Sequence, residues 1–212
     1  MPRRSPRDPE PAHPPPTLAP FAEVVQTATD HLIAQCYDPP TLDFPPIPAL
    51  GSWVWVPDGD RYIYGVVAYA VTAPIDTIHR ATALGLSLTQ LRQEQPHIFA
   101  MLKTEVTIGI VGFQEQGQVY HHLPPQPPPM HQQVYPCEPA VVVAFSQQLT
   151  FLRTLLTLRY GPGDALIAAT LRHLYQLRGG DRPWLVQAAQ LLNRLLKDDY
   201  DRLRGILEQV YL

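Results

Sequence analysis

The clearest pattern in the chain is a pair of apolar runs on either side of a turn sequence, Pro57-Asp58-Gly59-Asp60. Proline, aspartate and glycine suit a tight turn, so the two runs predict a β-hairpin. In the first run Trp53 and Trp55 share one face of the strand, while Val54 and Val56 share the other. Because both faces are apolar, the pattern predicts a strand buried on two sides, as in a closed barrel covered by helices or by another subunit.

Further strand patterns lie before and after this hairpin. The segments FAEVVQTA and HLIAQCY precede it, and KTEVTIGIVGF, QVYHHL and PAVVVAF (139–145) follow it. Gly65, inside the second apolar run, predicts a bulge or a barrel corner. Together these patterns predict about six strands between residues 21 and 145.

A helical excursion interrupts the strands at residues 74–102. Pro74 stands where a first helical residue would, and apolar residues follow at spacings of three and four. Ser87-Leu-Thr-Gln90 is a capping-box sequence, which predicts a second short helix that ends before Pro96. We therefore expect a helical insert within the β region.

After Ser146 the apolar positions follow a helical period to the end of the chain, with breaks at Gly161-Pro162-Gly163 and Gly179-Gly180. The predicted fold class is α+β, a small closed N-terminal β-barrel followed by a C-terminal helical segment. The predicted map is a disordered proline-rich arm at 1–19, a barrel at 20–146 and a helical tail at 147–212.

Proline usage follows the same division. Of the 25 prolines, 13 lie in residues 1–50, five in residues 124–129 and two after residue 150.

Two cysteines cannot form a disulfide framework, which favours a reducing compartment. No apolar run reaches the roughly 18 residues of a membrane span, and the N-terminus lacks the apolar stretch of a signal peptide. These observations predict a cytoplasmic protein without a membrane span.

Sequence motifs for catalysis are absent. The chain has no G-x-x-x-x-G-K-[ST] phosphate loop, no G-x-S-x-G and no H-E-x-x-H. His121, His122, His131 and Cys137 include suitable zinc ligands, but their spacing is irregular and adjacent histidines on a strand point to opposite faces. We therefore predict a protein that is not an enzyme, with no catalytic residue, cofactor or metal, and treat the four as surface or interface residues.

Two sets of residues are candidates for binding. The aromatic residues of the hairpin suit a protein interface better than a base-stacking sheet, because only Arg61 lies among them. Charge is split, with 7 basic and 13 acidic residues in 1–150 (net −6) and 9 and 6 in 151–212 (net +3). The basic tail therefore offers possible phosphate contacts. The interface candidates are Trp53, Trp55, Tyr62, Tyr64 and Tyr69, and the phosphate candidates are Arg172, Arg178, Arg194, Arg202 and Arg204.

The β region resembles the HAS barrel, the small β-barrel at the N-terminus of HerA-type DNA translocases and of the F-type ATP synthase α and β subunits. The matching pieces are the hairpin with Gly51–Val56 and Tyr62–Val67, and the late strand followed by prolines at Ile108–Pro129. The resemblance covers roughly residues 20–146. It implies a collar that holds subunits in a ring or docks a partner, here without the ATPase domain that follows in those relatives, a form that resembles barrels encoded in cyanobacterial genomes.

The function that we expect from these patterns is an interaction or assembly module that docks a protein partner or self-associates through the barrel and the helical tail. The alternative is an accessory factor in DNA processing that contacts nucleic acid through the C-terminal arginines. A third possibility, an enzyme with a pocket at the barrel mouth, has only the histidines in its favour.

Overall fold

A computed structural model describes residues 18–38, 47–75 and 82–210, and the predicted disordered arm falls almost entirely outside them. Within these residues the chain forms strands and helices in two successive blocks. The strands are β1 Ala22–Thr27, β2 His31–Cys36, β3 Trp53–Asp58, β4 Arg61–Pro74, β5 Leu102–Glu115, β6 Gln118–Tyr120 and β7 Gln133–Pro136. The helices are α1 Leu88–Glu94, α2 His97–Ala100, α3 Pro139–Phe145, α4 Phe151–Thr157, α5 Asp164–Leu177, α6 Arg182–Leu195 and α7 Tyr200–Val210.

Six of the strands close into an antiparallel barrel. Their order is β2-β1-β7-β3-β4-β5, and β5 returns to pair with β2 from His31↔Gly109 to Gln35↔Glu105. The short strand β6 pairs only with the far end of β5 and extends the sheet beyond the barrel. The predicted α+β class, with a closed barrel followed by helices, is confirmed.

The barrel interior is filled by small and β-branched side chains from alternating strand positions. Val54 and Val56 of β3 point inward with Val67 of β4 and with Val106 and Ile108 of β5, and all five are buried. Residues of this size suit a narrow six-stranded barrel, whose interior has room only for side chains. The two-faced hairpin pattern in the sequence therefore describes the barrel correctly.

The C-terminal helices pack on the outer face of the barrel and share one core with it. Trp53, Val66 and Val111 on the outside of the strands belong to the same buried cluster as helical leucines such as Leu152 and Leu171. Helices α5 and α7 also pack on each other, so the tail is a small bundle seated on the barrel. Sequence patterns alone left open whether the tail packs on the barrel.

The segment at 139–145 corrects one prediction, because it forms α3 and not a strand. Pro139 occupies the first turn of this helix, where its missing N–H costs nothing, and Val142 and Phe145 enter the core three residues apart. The barrel is closed instead by β7, which pairs with β1 through Ala22↔Val134 and with β3 through Trp55↔Tyr135. A run of β-branched residues is ambiguous in sequence, and here burial on one side decided for a helix.

The insert between β4 and β5 is partly as predicted. Ser87 caps α1 with the full capping box, since its hydroxyl accepts from the backbone N–H of Gln90 while the Gln90 side chain accepts from the Ser87 N–H. A helix beginning at Pro74 is wrong, because Pro74 is the last residue of β4. Residues 76–81 of that predicted helix lie outside the described residues. The register does shift between Tyr64 and Gly65, where a bulge or corner was predicted, but the extra residue is Val111 of the partner strand β5.

Candidate interaction surface

Two of the five aromatic interface candidates, Trp53 and Tyr64, are buried. Their exposed fractions are 3% and 2%, because the tail helices cover this part of the outer barrel face. The Trp53 ring lies edge-on to Phe145 and Phe151, with centroid distances of 5.2 and 5.4 Å, and Tyr64 lies 5.1 Å from Phe145. The prediction that these two side chains contact a partner is wrong, since the chain's own helices occupy the position that we expected a partner to take.

Trp55 and Tyr62 lie on the same outer face but nearer the turn between β3 and β4, where the helices cover the strands only in part. Trp55 stacks on Tyr135 of β7, with centroids 4.5 Å apart and planes 13° apart, and Tyr62 meets Trp55 edge-on at 5.2 Å. All three are half-buried. They form a row across three strands that holds the β7–β3–β4 region together, and a role in binding for Trp55 and Tyr62 stays a prediction.

Tyr69, the fifth candidate, belongs to a different surface at the far end of the β4–β5 hairpin. Strand β3 has six residues and β4 has fourteen, so past the end of β3 the strand β4 pairs only with β5 among the described residues, and β5 pairs in turn with β2 as far as Glu105. We call residues 69–75 and 101–107 the ribbon end. Tyr69, Val71, Ile75 and Met101 are 53%, 38%, 55% and 52% exposed there.

The two faces of the ribbon end differ in chemistry. On one face Tyr69 and Val71 stand beside the Lys103–Glu105 ion pair, in which Nζ and Oε1 are 2.7 Å apart. The opposite face turns toward the protein, where the Thr72 and Thr104 hydroxyls form a hydrogen bond of 2.8 Å and Thr104 is buried. Exposed apolar side chains therefore lie along a single face, which is typical of a binding surface.

The helical insert adds to this exposed apolar area. Leu84 and Leu88 are exposed, and α1 has no buried residue. Only Phe99 of α2 is buried among the residues of the two helices. The helix α1 is therefore held by its capping box and its connections, with little tertiary packing.

The five arginines predicted as phosphate contacts do not form one surface. Four of them are bound to groups of this chain. Arg172 donates to the carbonyl of Gln209, Arg178 to the carbonyl of Val143, Arg202 to Asp164 at 2.8 Å and Arg204 to Glu208 at 2.7 Å. Arg194 is exposed and has no ion pair within the described part of the chain. The four bonded arginines therefore stabilise the packing of the helical tail. Arg178 also lies over the Trp184 ring, 4.7 Å from its centroid.

The four potential zinc ligands are not brought together. The Nδ1 atoms of His121 and His122 contact the Thr150 hydroxyl at 2.6 Å and the Leu123 carbonyl at 2.9 Å. His131 pairs with Glu23 at 2.7 Å, whereas Cys137 packs against the core shared by the barrel and the helices. Burial lowers the pKa of His121. Among residues 18–38, 47–75 and 82–210, no group of three or more His, Cys, Asp or Glu side chains has the placement of a metal site.

We expect both cysteines to react slowly with a thiol reagent while the protein is folded. Both thiols are free, burial raises the pKa of Cys36 from 9.0 to about 11, and burial raises the pKa of Cys137 well above 9.0. A rise of two units lowers the reactive thiolate of Cys36 about a hundredfold below pH 9. Absorbance with a disulfide reagent should show two thiols only after guanidinium chloride is added. Native labelling at the rate of a free cysteine peptide would contradict this.

The ribbon end is the surface that the sequence analysis missed, apart from Tyr69. The signal was present in the unequal lengths of the two apolar runs, because residues 53–58 are too few to cover a partner strand that extends to residue 74. A long strand beside a short one must leave an edge and a face uncovered unless another element packs there.

The comparisons with known proteins agree with this architecture. Residues 21–116 match the family model of the HAS barrel domain. The match begins one residue before β1 and ends one residue after β5, so β6, β7 and the helical tail lie outside it. No curated protein matches the chain. Within the described residues no helix is long and apolar enough to cross a membrane.

Proposed function

Because residues 21–116 match the HAS barrel domain, we propose that the protein is a non-enzymatic interaction or assembly module that binds another polypeptide through its ribbon end. The observation that carries the proposal is the exposed apolar face of Tyr69, Val71, Ile75 and Met101. Exposed apolar residues grouped on one face are typical of protein-binding surfaces.

The rest of the barrel supports this choice of surface. Trp53 and Tyr64 are covered by the chain's own helices, and the half-buried row of Trp55 and Tyr62 packs against the same core. The ribbon end is built differently, since β4 and β5 pair there with each other beyond the end of β3. A strand that is held by a sheet on one side and carries exposed apolar side chains suits docking, because little conformational entropy is lost when it binds.

The alternative in DNA processing has less support. It requires guanidinium groups free to contact phosphates, and Arg194 is the one candidate of the five without a bond to the described residues. We therefore propose the docking function alone.

Photo-crosslinking in the native cell tests the proposal. A photoreactive phenylalanine analogue at Tyr69 should crosslink to a second polypeptide, whereas the same analogue at Tyr200, which is also exposed, should not. Adding Met101→Glu to the Tyr69 probe should reduce the crosslink about tenfold or more, because a charge within an apolar contact is costly to desolvate. Equal labelling from both positions, or no effect of Met101→Glu, would contradict the proposed function.

A further inference from the structure

One backbone edge of β4 has no partner strand at the ribbon end. Strand β3 pairs with β4 from Asp58↔Arg61 to Trp53↔Val66, and Gly51 and Ser52 continue this pairing only to Val67. Gly161 then lies against the Ala68 carbonyl. From residue 69 onward, no strand in the described ranges pairs with this side of β4.

Hydrogen bonds on the opposite side of β4 show which backbone groups face this edge. The Ile75 N–H donates to the Met101 carbonyl at 2.8 Å, so Ile75 faces β5. Directions alternate along an antiparallel strand, and Ala70 and Thr72 must therefore point their N–H and C=O groups away from β5. The bulge between Val67 and Tyr69 shifts this alternation by one residue, so Val67 also faces away from β5. Its N–H and its carbonyl both bond to the segment before β3.

We propose that this edge pairs antiparallel with the same edge of a second copy of the chain, about a two-fold axis at Val71. Ala70 of each copy then lies opposite Thr72 of the other, and the two pairs form four backbone hydrogen bonds. The inference rests on the proposed function and names the partner. The two ribbons would form one continuous sheet that joins two barrels.

The side chains favour a second copy over an unrelated strand. In this register the large Tyr69 side chain lies across from the small Ala73 of the second copy, and Val71 lies across from its own counterpart. Directly opposed side chains of this kind stabilise a sheet. The neighbouring charges do not repel, because Lys103 and Glu105 already neutralise each other within each chain. The edge is therefore complementary to itself in size and in charge.

Between its two ends the edge carries none of the usual protection against pairing. Exposed strand edges are commonly blocked by charged side chains, by proline or by a bulge. Here the outward-facing backbone groups of Ala70 and Thr72 lie between the bulge after Val67 and Pro74, which has no N–H, so the unprotected stretch is residues 69–73. This short unprotected stretch lies beside an exposed apolar face, a combination that suits pairing with one further strand.

The first test compares two matched variants of the full chain. Val71→Lys places two positive charges opposite each other at the proposed axis, and Val119→Lys makes the same change at an equally exposed valine of β6 (38% and 39% exposed). Light scattering after size exclusion, from about 1 µM to about 1 mM, should show a dimer for the parent chain. Val71→Lys should raise the dissociation constant about tenfold or more, and Val119→Lys should leave it unchanged.

A second test reads the geometry directly. Cys at position 71 of two copies would lie within disulfide distance across a non-hydrogen-bonded pair, so Val71→Cys should form a covalent dimer on mild oxidation. Val119→Cys should not, and neither should the parent chain, whose own thiols are buried or half-buried. Tyr69→Cys mixed with Ala73→Cys should crosslink more than either variant alone, which fixes the register.

The outcomes separate this inference from the proposed function. A parent chain that is monomeric over the whole range, or a dimer that neither Val71→Lys weakens nor Val71→Cys captures, would overturn the second-copy inference. If the Tyr69 photoprobe then crosslinks to a different polypeptide, the proposed docking function stands and only the identity of the partner changes. If the probe captures nothing, both fail.

Discussion

Replacing Trp53 with alanine is expected to lower the free energy of unfolding by about 3–5 kcal/mol. The indole is 3% exposed and fills the junction where the outer barrel face meets Phe145 and Phe151. Removing it leaves a cavity bordered by strands and helices. These elements are held by their own backbone hydrogen bonds and cannot collapse fully into the space. Urea denaturation followed by far-UV circular dichroism measures the loss without depending on tryptophan fluorescence.

Trp55→Ala is the matched control for this prediction. Trp55 is two residues away on the same strand face, but it is half-buried and packs mainly on Tyr135 and Tyr62. Its loss should cost about 1–2 kcal/mol, the value of partly buried aromatic contacts. Equal losses for the two variants, or a larger loss for Trp55→Ala, would contradict the assignment of Trp53 to the barrel–helix core.

Gly51→Ala is expected to destabilise the fold by about 2–5 kcal/mol, for two separate reasons. Gly51 has a φ of +78°, which strains any residue with a Cβ. That Cβ would also lie 2.6 Å from the backbone nitrogen of Thr170 and 2.8 Å from the carbonyl carbon of Ala169. The helix α5 must therefore shift away from the barrel to admit a single methyl group.

Gly59→Ala separates the two contributions. Gly59 has a φ of +58° in the hairpin turn, and a Cβ there would meet nothing within 4 Å. This variant should lose only the conformational strain, about 1–2 kcal/mol. Thermal unfolding of both variants under the same conditions gives the comparison, and equal losses would show that α5 does not pack against the Gly51 backbone.

These two predictions depend on contacts that the sequence did not reveal. The aromatic hairpin was recognisable from its composition, and its two apolar faces correctly indicated a barrel covered on the outside. What covers Trp53 and Tyr64 was not predictable, because an apolar outer face fits a second subunit as well as it fits the chain's own helices. The close approach of the Thr170 backbone to Gly51 shows that the chain's own helix α5, and not a second subunit, lies against this side of the barrel.

The candidate interaction surface also combines features that the sequence predicts with contacts that only the tertiary structure shows. Tyr69 was identified as an aromatic residue near a hairpin, but the ribbon end to which it belongs depends on where β3 stops pairing with β4. Conversely, four of the arginines were candidates for phosphate contacts because they belong to the basic helical tail, and they proved to be bonded within the chain. Periodicity shows which residues share a helix face, and it does not show what that face contacts.

The sequence by itself determined the local structure, namely the hairpin at residues 53–74 in outline, the capping box at Ser87 and the helical period after residue 146. These features arise from side-chain alternation, turn chemistry and capping, all of which act over a few residues. Only the tertiary structure decided that β7 closes the barrel, that 139–145 is a helix, and that one edge of β4 has no partner strand among the described residues. Each of these depends on partners distant in sequence, since a short strand or an ambiguous apolar run is stabilised by the neighbour it pairs with or packs against and not by its own composition.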